Sequence, residues 1–173
     1  MKVSMTRKEV EDQEKAQFEA PLLAEEESIP FNVVSCRHAT RIVKGVDTLI
    51  VNVKMTVAED HTGVNEPGAV FEKGIFFPLD ADGEPDRGDS RFNMNMGQLN
   101  RIAFAAFGGK NAANPGRYPV ADTLDEHGEP ELFVPWVALE QFADDTTQIV
   151  MDLSHFIKGE KTYVNLKNIR PRE

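Results

Sequence analysis

Hydrophobic and polar positions alternate with a period of two over several stretches of the chain, each bounded by turn-forming residues. In the clearest of them Leu49, Val51, Val53, Met55 and Val57 share one face, and Ile50, Asn52, Lys54 and Thr56 the other. That alternation predicts a half-buried strand over Thr48–Ala58. A preceding strand is expected over Phe31–Val43, and Lys44-Gly45-Val46-Asp47 supplies the glycine of a hairpin between them. A third strand is expected from Val70 to Leu79, with Phe71, Phe76 and Phe77 assigned to core packing before base stacking. Near the C-terminal end, Gln148–Arg170 repeats the pattern on both sides of Lys158-Gly159-Glu160-Lys161, which predicts a second hairpin. Its outward face carries Lys158, Lys161, Tyr163 and Lys167, with Phe156 near the turn.

The pattern changes to a helical period in one place. Met96, Leu99, Ala103, Ala106 and Phe107 form an apolar stripe over a helix from Met94 to Phe107, and Gly108-Gly109 stops it. Pro135 can open a short helix, Pro135–Phe142, bearing Trp136. Lys110–Glu131 has little periodicity and reads as a long connection of the functional or mobile kind. Thr6 and Glu9 form a capping box for an N-terminal helix that ends before Pro21. That helix lacks a wide apolar stripe, and Glu25-Glu26-Glu27 reads as a charged linker. Residues 1–30 are therefore expected to be a peripheral helical or disordered arm, dispensable for the folding of a single domain over 31–173.

Composition narrows the class. The chain has 173 residues, 40% apolar and 28% charged, which suits one cored domain. No apolar run approaches the ~18 residues that would suggest a membrane span. The N-terminus has no apolar signal region. Cys36 is the single cysteine, so no internal disulfide can form, and a cytoplasmic setting with Cys36 as a small buried hydrophobe is expected.

The net charge of −10 is unevenly spread. Residues 31–58, 91–120 and 148–173 carry +3, +4 and +2, whereas 1–30, 59–90 and 121–147 carry −4, −7 and −8. The expected strands and main helix are basic and the connections acidic. An acidic protein of this design can still present a local positive surface.

Catalytic signatures are missing from the chain. Its four histidines are scattered without the close pairing of a zinc site, and there is no nucleophile elbow, phosphate loop or dinucleotide fingerprint. The Asp80-Asp82-Glu84 loop fails as a calcium loop, with Pro85 at the glycine position and Arg91 at the closing glutamate. Asp122, Asp125 and Glu126, and Asp144 with Asp145, read as solvated loop acids. The expectation is a non-enzyme with no cofactor and no metal.

The order strand, strand, strand, helix, strand, strand is that of an OB-like five-stranded barrel, mainly β with its helix between the third and fourth strands. Such barrels bind single strands with basic side chains and aromatic platforms. One face here draws on Arg37, Arg41, Lys44 and Lys54, together with the outward residues of the last hairpin. The segments RIVKGVDTLIVNVKMTV, NMNMGQLNRIAFAAFGG and GEKTYVNLKNIR resemble a group of small bacteriophage proteins associated with replication and recombination. The resemblance spans about residues 31–173. It implies OB-like, single-stranded-DNA-binding character in the cytoplasm of an infected bacterial cell, with Tyr163, Asn165 and Lys167 on the DNA face. It also implies replication or recombination proteins as partners. The chain ends Arg170-Pro171-Arg172-Glu173 instead of in an acidic recruiting tail, so that role would fall to Glu25–Glu27 or the acidic 121–131 segment. A homo-oligomer is compatible with all of this. The rival reading is an acidic adaptor or inhibitor that binds protein and never nucleic acid.

Overall fold

The structure is a computed structural model of the chain, and the residues described are 4, 6–8, 22–108 and 118–172. The N-terminal helix expected up to residue 20 lies outside them except at residues 6–8, and so does part of the 110–131 connection. The elements are β1 (Glu26–Val43), β2 (Val46–Val57), β3 (Val70–Pro78), α1 (Phe92–Phe107), β4 (Val120–Leu124), β5 (Pro130–Leu132), α2 (Pro135–Phe142), β6 (Gln148–Lys158) and β7 (Lys161–Pro171). Five strands form one antiparallel sheet in the order β3-β2-β1-β6-β7, and β4 pairs only with β5. The protein is mainly β with one helix between β3 and β4, as the patterning predicts. The expected barrel is not closed by hydrogen bonds: β3 and β7 are the two sheet edges. Part of the supposed connection is itself a hairpin, β4–β5, whose strands are too short for alternation to register.

One face of the sheet is the core. Ile29, Phe31, Val51, Val53, Met55, Val57, Ile149 and Met151 are fully buried on it, joined by Ile75 and Phe77 from β3 and Val164 and Leu166 from β7. α1 covers this face with Leu99, Ile102, Ala103 and Phe107, and ends where Gly108 turns left-handed at φ 80°. α2 begins with Pro135 at its first turn and buries Ala138 and Leu139. Trp136 of α2 packs its ring 5.9 Å from that of Phe77. Cys36 lies in this core, and its Sγ donates to the Trp136 carbonyl at 3.8 Å. Burial and the charge of Glu140 push the thiol up to about 12, so it stays protonated and inert.

Two loops share one eight-residue pattern, Leu79-Asp80-Ala81-Asp82-Gly83-Glu84-Pro85-Asp86 and Leu124-Asp125-Glu126-His127-Gly128-Glu129-Pro130-Glu131. They also share their hydrogen bonds. Asp80 Oδ1 accepts from the Asp82 and Glu84 amides at 2.9 and 3.0 Å, and Asp125 Oδ1 from His127 and Glu129 at 2.8 and 3.0 Å. Gly83 and Gly128 both take φ 77°. Oδ1 of each leading aspartate is thereby engaged by its own backbone and closes the turn.

The first strand starts at Glu26, not Phe31. Residues 26–30, which the sequence reading assigned to the arm, pair with β6, with Glu26 opposite Leu153 and Ile29 opposite Met151. The charged run before Ser28 hides this strand because Glu26 is not solvated: it is a clamp. Its carboxylate accepts from the Val64 amide (2.7 Å), the Asn65 amide (3.1 Å), Asn65 Nδ2 (3.0 Å) and His61 Nε2 (3.0 Å). Asn65 in turn exchanges two hydrogen bonds with the backbone of Ala24, at 2.8 and 3.1 Å. His155 Nε2 meets the Leu23 carbonyl at 2.6 Å from the other side. Gly63 leaves room for this clamp, since a Cβ on it would run into the Glu26 carboxylate and His61 Nε2.

Two outcomes follow from this clamp. Burial alone would raise the Glu26 carboxyl, but the hydrogen bonds from His61, Asn65 and Val64 outweigh it and hold the group at about 2 instead of 4.5. The folded value is the lower one, so the stabilisation is complete above pH 4.5 and is lost as pH falls towards 2. It amounts to about 3 kcal/mol at most. Glu26→Gln and Gly63→Ala are each expected to lower the neutral-pH melting temperature and to flatten this acid limb in denaturant titrations between pH 5 and 3. Deleting residues 1–30 removes the clamp together with buried Leu23 and Ile29. Each such side chain is worth ~1.5–3 kcal/mol, against a typical total stability of ~5–15 kcal/mol. Calorimetry on residues 31–173 is therefore expected to show no cooperative transition.

Candidate nucleic-acid interface

The β6–β7 hairpin turns through Gly159-Glu160, with Lys158 and Lys161 as the closing pair and Gly159 at φ 67° in the first central position. A left-handed first residue matches the twist of the strands, as in a type II′ turn. Leu153 and Leu166 face the core, so the pleat sends alternate pairs outward: Asp152 with Lys167, Ser154 with Asn165, Phe156 with Tyr163, and Lys158 with Lys161. The Phe156 and Tyr163 rings stack 5.4 Å apart at 22°, and remain 45% and 41% exposed. Ile157, on the other face of the same tip, is more exposed still. Two aromatic rings thus stand in water between two lysines and a neutral polar pair.

The β1–β2 hairpin carries the other expected cations. It turns through Lys44 and Gly45, both left-handed at φ 49° and 77°, the requirement of a type I′ turn. Arg37 pairs with Asn52 and Arg41 with Thr48, on the outward face; Lys44 is at the tip; Lys54 lies outward between Ser35 and Glu72. The two hairpins leave β1 at opposite ends, because β2 pairs with residues 31–43 and β6 with residues 26–32. The expected single surface is therefore two groups of residues on the outward side of one sheet. One holds Phe156, Lys158, Lys161, Tyr163, Asn165 and Lys167, the other Arg37, Arg41, Lys44 and Lys54.

The electrostatics separate these cations from the rest. Arg91 pairs with Asp89, Arg170 with Asp152 and Arg172 with Asp60. Arg37, Arg41, Lys44, Lys54, Lys158, Lys161 and Lys167 have no ion-pair partner among the described residues. Lys54 does not bond to Glu72, which instead accepts from Asn52 Nδ2 at 3.5 Å. Lys167 faces Asp152, but that carboxylate is held low by Asn168, by the Ser28 amide and by Arg170, so its charge is already shared. Uncompensated cations are what a polyanion requires. Among the described residues no three His, Cys, Asp or Glu side chains are placed to hold a metal ion.

Sequence reasoning assigned Phe76 to core packing before base stacking. The run Ile75-Phe76-Phe77 reads as uniform core, but the strand divides it: Ile75 and Phe77 are buried, whereas Phe76 points outward, 44% exposed. Its ring lies over Gly74, where an added Cβ would sit 3.5 Å from it. Phe76 pairs with Ile50, beside the row of Arg37, Asn52 and Gly74. The available signal was register, because antiparallel pairing with the alternating Ile50-Asn52-Lys54 face places Phe76 among those polar positions.

No helix among the described residues is long and apolar enough to cross a membrane. Compared with known proteins, the chain matches no family model, no curated protein and no solved structure, so its function is argued from this surface alone.

Proposed function

We propose that the chain is a non-catalytic, sequence-tolerant single-stranded DNA-binding protein of OB-like architecture, acting in phage DNA replication or recombination. The observation that carries this reading is the outward Phe156–Tyr163 stack between Lys158 and Lys161. Bases offer a π-face whatever their identity, and phosphates need unpaired cations within reach. A cross-strand aromatic pair also steadies a hairpin. That role alone gives no reason for its exposure beside cations that lack partners. The architecture supports the same reading: α1 packs against both β3 and β7, across the seam where a five-stranded barrel would close.

Fluorescence titration with oligo-dT tests it. Affinity is expected to fall with rising salt as captured phosphates release counterions. Lys161→Ala and Lys158→Ala are each expected to reduce the slope of log affinity against log salt by about 0.7, one single-strand phosphate. Tyr163→Ala is expected to cost ~1–3 kcal/mol of binding. It should also cost ~0.5–1.5 kcal/mol of folding through the lost ring contact with Phe156. Tyr163→Leu keeps the apolar area and separates the two effects, with folding near normal and binding still reduced.

The rival adaptor reading has one feature in its favour. The β4–β5 hairpin is exposed along nearly its whole length and presents Val120, Leu124 and Leu132 among Asp122, Asp125, Glu126, Glu129 and Glu131. A two-stranded hairpin is marginal by itself and gains from a partner. No binding to oligo-dT even at low salt would leave this reading in possession.

A further inference from the structure

We infer that the outward side of the sheet is a bipartite site, in which Phe76 is a second base-stacking platform that only a long single strand reaches together with the hairpin tip. The inference rests on the nucleic-acid reading and adds to it a residue and a length requirement. Phe76 repeats at the far end of the sheet what Phe156 and Tyr163 do at the near end. It is an exposed ring on the outward pleat, close in register to cations without partners, Arg37 and Lys54. The ring lies over Gly74, which has no side chain to displace it, and Asn52 places an amide on the next row.

Register gives the spacing. Leu153 lies opposite Glu26, and Phe156 is three residues beyond it; Phe76 shares a row with Ile50 and Ala39. At ~3.3 Å per residue the two platforms are at most about 50 Å apart along β1, and closer in a coiled sheet. The outward rows between them include two neutral ones, Ser154 with Asn165 and Asn32 with Gln148 and Thr56, and two charged ones, Asp152 with Lys167 and Ser35 with Lys54 and Glu72. Of the carboxylates on these rows, Asp152 is paired with Arg170 at 3.3 Å, and Glu72 stands in register with Lys54 and accepts from Asn52 Nδ2 at 3.5 Å. A polyanion crossing from one platform to the other therefore meets Asp152 beside Arg170 and Glu72 in register with Lys54. Two modest contacts joined by one strand act as a bivalent ligand, so affinity should rise steeply once the oligonucleotide spans both.

The test compares oligo-dT at the two ends of the ~4–16 nucleotide range covered by single modules. The proteins are the full chain, Phe76→Leu, Phe156→Leu with Tyr163→Leu, and all three changes combined. Leucine keeps apolar bulk while removing the π-face, and the melting temperature of each variant is measured beside its affinity. For the long oligonucleotide, Phe76→Leu is expected to lower affinity by about 5- to 150-fold, the equivalent of one lost base–aromatic contact. For the short one the loss should stay within about twofold, because the other platform still holds it, and only the combined variant should lose it altogether. If Phe76→Leu folds normally and binds the long strand as tightly as the parent, while the hairpin variant loses it, the bipartite site is overturned and the single-platform reading survives. If the parent binds neither oligonucleotide at low salt, the nucleic-acid reading itself fails. Should Phe76→Leu unfold, Arg37→Ala with Lys54→Ala decides instead: a flatter salt dependence for the long strand alone supports the site, and an unchanged one overturns it.

Discussion

Everything in the sheet depends on β1 serving two partners along its length. Residues 31–43 pair with β2 and residues 26–32 with β6, so both hairpins hang on one 18-residue strand. A strand this long cannot stay straight and keep one face in a compact core. It turns at two irregularities, between Glu26 and Ile29 and between Val33 and Ser35. Bulges increase local twist and shift the alternation by one. At the second of them Val34 and Ser35 both avoid the core, which lets Val33 and Cys36 bury on the same face. Without that extra residue Cys36 would face outward and Arg37 inward. The outward direction of Arg37 and Arg41, and so the whole second cation group, is a consequence of the bulge.

The first irregularity is held by Asp152. Its carboxylate accepts from the Ser28 amide at 2.8 Å, from Asn168 Nδ2 at 2.7 Å and from Arg170 Nη1 at 3.3 Å. Ser28 and Asn168 both take the left-handed conformation, φ 56° and 51°, uncommon for residues with a side chain. Three strands are thus tied at one carboxylate where two of them depart from regular pairing. The node fixes how β1 leaves β6, and with it the distance between the two hairpin tips.

The net acidity of the chain is uneven over its surface because several of its acids are spent on local partners. Asp80 and Asp125 close their own turns, Asp144 caps Thr146 and Thr147, Glu26 clamps a loop, and Asp60, Asp89 and Asp152 pair with arginines. The lysines of both hairpins and the outward arginines of β1 are left without such partners among the described residues. Net charge sums these groups as equals. The local field does not, since it falls off within about a Debye length and depends on which charges are already neutralised.

The sequence by itself determined the elements whose burial is one-sided and local. Alternation in Leu49–Val57, the two hairpins around Lys44-Gly45 and Gly159-Glu160, and the helix ending at Gly108 could all be read directly, because pleat, turn chemistry and helical period act over a few residues. So could the outward face of β7, with Tyr163 and Lys167 opposite Val164 and Leu166. What only the tertiary structure decided involves partners distant in sequence. Glu26 looked like linker charge because its four donors come from residues 61–65, beyond all of β2. Phe76 looked like core because its exposure is set by pairing with Ile50, and the division of the cations into two groups by which halves of β1 the hairpins choose. Closure is of the same kind: whether β3 and β7 join or remain edges depends on the curvature of β1 and on how α1 fills the seam. No run of neighbouring residues records either.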